Sequence, residues 1–142
     1  AHFDNRFYWG RETDGTLIPK SLTDVNEVDK DGNAIINPVT DKQLVTKGLK
    51  TIYTEQIKQT ANYKLSTTDW YITRKAEDST TTIPSAVSTY RAAVRTKSGQ
   101  IETLIADAAD HAAFMALFDV PVDSDGKPTG DNAPINDWPD EI

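Results

Sequence analysis

The chain has 142 residues, a net charge of -7, 37% hydrophobic residues and no cysteine. This length is typical of a single domain with one modest core, and the absence of thiols excludes disulfides, cysteine-bound metal centres and a cysteine nucleophile. The 15 Lys and Arg residues are scattered among 22 acids, and no apolar stretch approaches the ~20 residues of a membrane span, so neither nucleic acid nor a membrane is an expected partner.

The first 40 residues combine turn signals with short apolar segments, which predicts a β- and turn-rich N-terminal segment over 1–40. Asp14-Gly15 and Asp31-Gly32-Asn33 mark two turns, because Gly and Asn tolerate positive φ. Residues 25–28 and 34–36 flank the second turn, so a small β-hairpin is predicted there.

Residues 41–118 are predicted to form a helical domain, as a helical hairpin or a small bundle. Apolar residues between Val45 and Ile57 recur at steps of three and four, so we expect the first helix to run from about residue 40 to 65. Capping residues at 66–69 then predict a short helix over about 68–78.

A longer apolar run begins at Pro84, which suits the first turn of a helix because its missing N–H would be unpaired there anyway. Gly99 is expected to break or bend this run. Residues 106–118 are expected to form the last helix, which Pro121 ends.

The last segment, residues 119–142, contains an Asp125-Gly126 turn and several prolines, which predicts a short hairpin followed by an extended tail. The predicted fold class is therefore α+β and mainly helical. Its helical hairpin or bundle is flanked by short β-hairpin elements at both ends.

Two acidic turns invite comparison with calcium loops. The run 29–33 offers oxygens at the first, third and fifth positions of an EF-hand loop, but the sixth position is Ala34 instead of Gly and the twelfth is Thr40 instead of Glu. The run 123–126 is followed by Lys127, a cation at the fifth position. Both runs are interpreted as turns and not as metal sites.

The two histidines, His2 and His111, do not suggest a metal site. Asp107 lies four residues before His111, but such a pair on a helix is usually a surface pair, and a metal needs three or four ligands. The sequence also lacks a nucleophile elbow and a phosphate-binding glycine loop. No catalytic residue, metal site or cofactor is therefore predicted.

Arg91 and Arg95 lie four residues apart, on one face of the predicted third helix. They could clamp a carboxylate or phosphate of a ligand. The favoured interpretation is structural and pairs them with acids across a helical hairpin, such as Asp69, Glu77 or Asp78. Trp70 and Tyr90 are expected to form the apolar base of that contact and to belong to the core.

One block in the middle of the chain resembles a known family. In order, it contains Leu65-Ser66-Thr67-Thr68-Asp69-Trp70, Arg74, Ile83-Pro84 and Tyr90-Arg91-Ala92-Ala93-Val94-Arg95. This succession is similar to a block of phage tail and tail-fibre assembly chaperones, in which Thr-Asp-Trp, an arginine, Ile-Pro and Tyr-Arg-x-Ala-Leu/Ile-Arg follow one another. Val94 stands where Leu or Ile is usual, and the closing 134–139 segment resembles the Trp-Pro endings of such proteins.

The resemblance implies protein binding and carries over no catalytic residue. It predicts a non-enzymatic bacteriophage protein that acts in tail or tail-fibre assembly by binding another tail protein, in the host cytoplasm. The alternative is a structural component of the virion tail, baseplate or fibre, and a homo-oligomer is compatible with either role. A small hydrolase is a third class, which a cleft with converging acids would support. The block's structural motif consists of Asp69, Trp70, Arg74, Pro84, Tyr90, Arg91 and Arg95.

A protein that binds a partner should expose an apolar surface to it. The candidates are four aromatic residues near the two ends of the chain: Phe3, Phe7, Trp9 and Trp138. The competing interpretation is that these residues pack on the helices and complete a thin core.

Overall fold

A computed structural model of the chain describes residues 2–142. Its main feature is an antiparallel helical hairpin of α1 (Leu49–Ser66) and α3 (Ser85–Asp107), with the short α2 (Asp69–Glu77) in the connection and α4 (His111–Ala116) after it. Short β-hairpins precede the helices, and a further hairpin at residues 122–128 follows them. The predicted class, α+β and mainly helical, is confirmed.

Two buried clusters stabilise the helical hairpin. The smaller cluster joins Ala61 of α1 to Tyr90 and Val94 of α3, near the α2 connection. The larger cluster lies where α1 begins and α3 ends, and its buried members are Phe7, Leu49, Ile57, Ile101, Ile105, Ala108, Phe114 and Ile135. Because each fully buried aliphatic or aromatic side chain contributes about 1.5–3 kcal/mol, these clusters are the main source of stability.

Phe7 belongs to this core, which corrects its prediction as a partner-binding residue. Its side chain is only 2% exposed, and its ring meets the ring of Phe118 edge-on at a centroid distance of 4.8 Å. His111 Nε2 lies 2.9 Å from the Phe7 carbonyl oxygen, which accepts the hydrogen bond. The N-terminal segment therefore closes the core by contacts with residues more than 100 positions away in the chain.

The N-terminal segment forms two antiparallel strand pairs. The first joins β1 (Tyr8–Arg11) to β2 (Leu17–Pro19), with an irregular register at Trp9. The second joins β3 (Val25–Asn26) to β4 (Val45–Thr46). The hairpin that the sequence predicted around residues 25–36 is present, as an antiparallel bridge between Val28 and Ala34.

Residues 25–46, called the arm below, are held by hydrogen bonds and contain no fully buried side chain. The middle of the arm, residues 34–36, pairs with residues 27–28 on one side and with residues 43–44 on the other. Three stretches of chain therefore meet at one junction. The side-chain amide of Gln43 lies at this junction and donates to the carbonyl oxygens of Glu27 and Ile35. The Thr46 hydroxyl donates to the Glu27 carboxylate beside it. Polar contacts therefore replace a core in the arm.

Three hairpin loops, at residues 12–16, 29–33 and 123–127, share one geometry. In each loop the N–H of the first residue donates to the carbonyl of the fifth, and the glycine at the fourth position donates back to the carbonyl of the first. The three glycines have φ values of 90°, 82° and 77°, the left-handed region that other residues avoid. The two acidic runs are therefore hairpin loops, as their Asp-Gly pairs predicted. Their leading carboxylates, Asp29 and Asp123, accept N–H groups of their own turns.

Helix α1 begins at Leu49, and not near residue 40 as its periodicity predicted. Val45 matched the apolar repeat but belongs to β4, where its side chain is 46% exposed. The local sequence offers no side-chain cap at Gly48, the residue before the helix. The start of the helix is therefore decided by a segment elsewhere in the chain.

That segment is the loop at residues 21–24. Its carbonyl oxygens at Ser21 and Leu22 accept the N–H groups of Leu49 and Lys50, at 2.9 and 3.0 Å. Asp24 completes the cap, because its Oδ1 accepts the N–H of residue 48 at 2.8 Å and the hydroxyl of residue 51 at 2.7 Å. The first turn of a helix leaves such donors without intrahelical partners, and here a distant loop satisfies them.

Helix α3 runs unbroken through Gly99, which corrects the expected break. Burial of the flanking apolar residues against α1 outweighs the roughly 1 kcal/mol that glycine costs inside a helix. The break falls after Asp107, so the last helix covers His111–Ala116 and not 106–118. The Asp110 carboxylate caps this helix by accepting the Ala113 N–H at 2.8 Å.

Trp70 lies on the surface instead of in the core, and Trp138 takes the second of the two positions considered for it, against the core. Trp70, predicted in the core, is 52% exposed. Trp138, a candidate docking residue, is partly buried and packs against both core clusters, with the Lys64 amino group 5.8 Å from its ring centroid. The physical reason is that the C-terminal segment crosses the helical hairpin and brings Trp138 to the place beside Tyr90 that the sequence had assigned to Trp70.

Gly48→Ala is expected to destabilise the fold by about 1–3 kcal/mol, the usual cost of overpacking. A Cβ at this position would overlap backbone atoms of Leu22 and Thr23, which cannot move without breaking the cap of α1. Gly99→Ala is the matched control, because nothing lies within 4 Å of its Cβ position, and it should stabilise α3 by about 1 kcal/mol. Urea denaturation measures both, and a neutral Gly48→Ala would contradict the close approach.

Asp24 makes the cap dependent on pH. The hydroxyl of Thr51 and, second, the N–H of Gly48 donate to its carboxylate and lower its pKa below the ordinary value. A carboxyl group with a lowered folded-state pKa stabilises the fold above its unfolded pKa of about 3.9, and this stabilisation is lost as the pH falls through the folded value. Asp24→Asn should therefore lower the melting temperature at neutral pH, and its difference from wild type should shrink below about pH 4.

Thermal denaturation across this pH range is the measurement for Asp24→Asn. Asp31→Asn, in the exposed 29–33 loop, is the control and should follow the wild-type profile. If the difference between Asp24→Asn and wild type were the same at neutral and acid pH, the ionised carboxylate would not be part of the cap.

Candidate functional site

The motif residues of the family resemblance meet where α1, α2 and α3 join, a region called the tryptophan corner below (residues 65–74 and 84–91). Arg91 of α3 closes it. Its Nη1 donates to the Leu65 carbonyl at 2.8 Å, to the Thr68 hydroxyl at 2.9 Å and to Asp69 Oδ1 at 2.8 Å. The arginine side chain is only 14% exposed, and Thr68 is buried. Of the acids predicted to pair with the two arginines, Asp69 is the one that pairs with Arg91.

Trp70 lies on the outer surface of the tryptophan corner in a fixed orientation. Its ring stacks on Tyr71 at a centroid distance of 3.7 Å, and the guanidinium of Arg74 lies 5.0 Å from its centroid. Arg74 is itself held by donating to the Thr82 carbonyl at 3.2 Å. Helix α2 contributes no buried side chain, so this aromatic and cationic group faces outward. Trp, Tyr and Arg are the residue types that most often dominate binding energy at protein interfaces.

Pro84, Tyr90 and Arg95 are the motif residues that α3 adds. Pro84 immediately precedes the first helical residue, as predicted. Tyr90 is buried, as predicted, and this burial, with a smaller effect of the Glu141 charge, raises the pKa of its phenol above the ordinary value. Arg95 lies one turn beyond Arg91, exposed beside a groove of 430 Å³ between α1 and α3. Within residues 2–142, Arg91 makes the predicted type of ion pair and Arg95 does not.

A second exposed aromatic group lies near the other end of α1. Trp9 is 60% exposed, with the Lys20 amino group 4.6 Å from its ring centroid. Together with Val25 and Ile52, it lines a cleft of 300 Å³ at the junction of the strand pairs with α1. Phe3 is also exposed. Both aromatic residues are accessible, as docking residues must be, and their role in partner binding remains a prediction.

The arm adds aliphatic side chains to this end of the molecule. Six of them are exposed: Val25, Val28, Ile36, Val39, Leu44 and Val45. Single exposed apolar residues are ordinary, whereas a concentration of them marks an interaction surface. This surface was not among the features predicted from the sequence, although the sequence of the arm does indicate it. The segment holds several aliphatic residues but is too short to enclose a core of its own.

A groove of 1020 Å³ runs between α3 and the C-terminal segment. Asp131 and Asp137 are the acids that line it, and Asp137 pairs with Lys97 at 2.7 Å instead of converging with the other acid. In the described residues 2–142, no group of three or more His, Asp or Glu side chains is placed to hold a metal ion. None of the helices in that range is long and apolar enough to cross a membrane.

Comparison with known proteins found no family model, no curated protein and no solved structure that matches this chain. The block from residue 65 to 95 therefore stays a resemblance of individual residues. What the protein does must be inferred from its own side chains and their arrangement.

Arg91→Ala is expected to lower the free energy of unfolding by about 1.5–3 kcal/mol, the range for hydrogen bonds to charged groups, because the buried Thr68 hydroxyl loses its donor. Asp69→Ala should cost less than about 1 kcal/mol, since exposed ion pairs contribute little and the Asp69 side chain is 58% exposed. Urea denaturation of the two variants is the measurement. Equal losses would contradict the conclusion that the buried arginine closes the corner.

Proposed function

We propose that this chain is a non-enzymatic bacteriophage protein that acts in tail or tail-fibre assembly by binding another tail protein. The observation that carries the proposal is an exposed tryptophan towards each end of α1, each with a cation against its ring: Lys20 at 4.6 Å from Trp9 and Arg74 at 5.0 Å from Trp70. Helix α1 has 18 residues, which corresponds to about 27 Å at 1.5 Å per residue. Two aromatic sites at the two ends of one helix are suited to binding a partner at two separate places.

The tryptophan corner supports the proposal because the motif residues cooperate to present Trp70. Arg91 holds the first turn of α2 against the end of α1 by hydrogen bonds. The Arg74 guanidinium packs over the Trp70 ring and restricts its orientation. A side chain that is already ordered loses little conformational freedom when a partner covers it, which raises affinity. The resemblance to assembly chaperones rests on these same positions.

The acidic composition supports a protein partner. A chain with a net charge of -7 repels the phosphates of nucleic acid. The exposed apolar surfaces at both ends of the helical hairpin are the kind that proteins cover with other proteins.

The alternative is a resident structural component of the virion tail, baseplate or fibre. The arm favours this alternative, because its six aliphatic side chains are exposed and no core of its own shields them. A permanent interface would cover such a surface, whereas a chaperone acting transiently in the host cytoplasm would have to tolerate it in the free state.

Mass spectrometry of purified particles beside a size-fractionated lysate of infected cells distinguishes the two roles. Stoichiometric amounts in particles would support the structural role in the virion tail. Presence in the lysate with a tail or fibre protein, and absence from particles, would support the assembly chaperone. A chain that sediments free of every tail protein in the lysate and is absent from particles would overturn both.

Trp70→Ala is expected to weaken binding to the identified tail protein about 30-fold or more, since truncation of a dominant interface residue costs about 2 kcal/mol or more. Its effect on the melting temperature should be small, because exposed substitutions usually change stability by about 0.5 kcal/mol or less. Binding is measured by titration calorimetry.

Two further variants complete the experiment. Trp9→Ala tests the other end of α1 and should also weaken binding. Leu104→Ala removes an exposed apolar side chain from the last turn of α3, outside both tryptophan sites, and is the control that should bind like wild type. Wild-type affinity in both tryptophan variants would remove the basis for the proposed docking sites.

A further inference from the structure

We propose that residues 133–142, called the strap below, are exchanged between two copies of this chain. The strap lies along α3 of its own chain and covers part of the core. In the exchanged dimer, each strap would occupy the same position on the other copy. This inference is independent of the proposed tail function.

Charge is the first observation. The strap contains three acids and no base, a net charge of -3. The helical residues 49–118 contain seven acids and eight bases, a net charge of +1. Because the strap and the surface beneath it differ in charge, electrostatic attraction guides the strap to the helices of either copy.

The second observation is a compact set of side-chain contacts that any copy could supply. Ile135 is 7% exposed in the larger core cluster, and Trp138 contacts both clusters. Two ion pairs flank these apolar contacts, Lys97–Asp137 at 2.7 Å and Lys64–Glu141 at 3.6 Å. All of these groups on the helices belong to α1, α3 and their core, which are present in every copy.

The third observation is that little besides side chains holds the strap. In the described part of the chain, one backbone hydrogen bond joins it to the rest of the fold, from the Ile135 N–H to the Leu117 carbonyl at 3.0 Å. Open grooves border it on both sides of Trp138, with volumes of 1020 and 430 Å³. The strap can therefore leave its position without breaking secondary structure.

The fourth observation is the connection between α4 and the strap. Residues 119–132 are all exposed except Pro121, which is partly buried. Once the hairpin at residues 122–128 opens, these 14 residues span at most about 45 Å at roughly 3.3 Å each. The connection is long enough to carry the strap to a neighbouring copy.

Exchange keeps every contact of the strap, so the balance between monomer and dimer depends mainly on the connection and on concentration. With its hairpin open, a connection of this length gives the strap an effective concentration on the order of millimolar at its own site. The monomer therefore dominates in dilute solution, and the fraction of chains in the dimer rises as the concentration of the chain approaches that value.

The test uses charge reversal at the 2.7 Å ion pair. Lys97→Asp and Asp137→Lys each place like charges together when the strap stays on its own chain. In an exchanged dimer of the two variants, the strap with the native Asp137 lies on the helix with the native Lys97. The strap of Asp137→Lys lies on the helix of Lys97→Asp, so opposite charges meet at both interfaces. Light scattering of an equimolar mixture should show a species of twice 15.7 kDa, which neither variant shows alone.

The double variant Lys97→Asp/Asp137→Lys is the control for tolerance of the two substitutions. Its charges match within one chain, so it should remain as monomeric as wild type in dilute solution and keep the wild-type melting temperature. A mixture of the single variants that stays at 15.7 kDa would overturn the exchange. Dimers that form equally in each variant alone would overturn it too, because they would not depend on matching the strap to another copy.

Discussion

The first turn of α1 is capped by a loop that lies 24 residues earlier in the chain, and the rest of the architecture depends on this contact. Asp24 and two backbone carbonyls accept the free donors of the helix. The loop can come this close because Gly48 has no side chain. This junction fixes where the helical hairpin begins and ties the strand pairs to it. It also sets the position of the arm, which has no core that could hold it independently.

Trp138, and not Trp70, packs against the core cluster that contains Tyr90. Trp138 lies there because the strap crosses the helical hairpin and adds two ion pairs to its apolar contacts. Helix α2 is then left outside the core, and Arg91 fastens it there through three acceptors. Because Trp138 packs against the core and α2 does not, the aromatic group of α2 is exposed, and the proposed binding function rests on that group.

The exposed apolar groups lie near the two ends of α1, as expected of a protein that connects two others. The arm and Trp9 present apolar groups near the start of α1, and the tryptophan corner presents them near its end. The helical hairpin between them is rigidified by two core clusters. The acidic C-terminal segment packs Ile135 and Trp138 against these clusters. Apolar surfaces at both ends of the helical hairpin are compatible with both the transient and the resident role in a tail.

The sequence by itself determined the features whose signals are local. It predicted the α+β class, the Asp-Gly hairpin loops, the short helix α2 and the start of α3 after Pro84. These follow from backbone geometry and spacing within a few residues. The tertiary structure alone decided where α1 begins, that Gly99 is tolerated, that Phe7 is core and which tryptophan is buried. Those outcomes depend on contacts such as that between Phe7 and His111, 104 residues apart. Burial there outweighs local preferences of about 1 kcal/mol, and no periodicity along the chain reveals which distant segment will provide it.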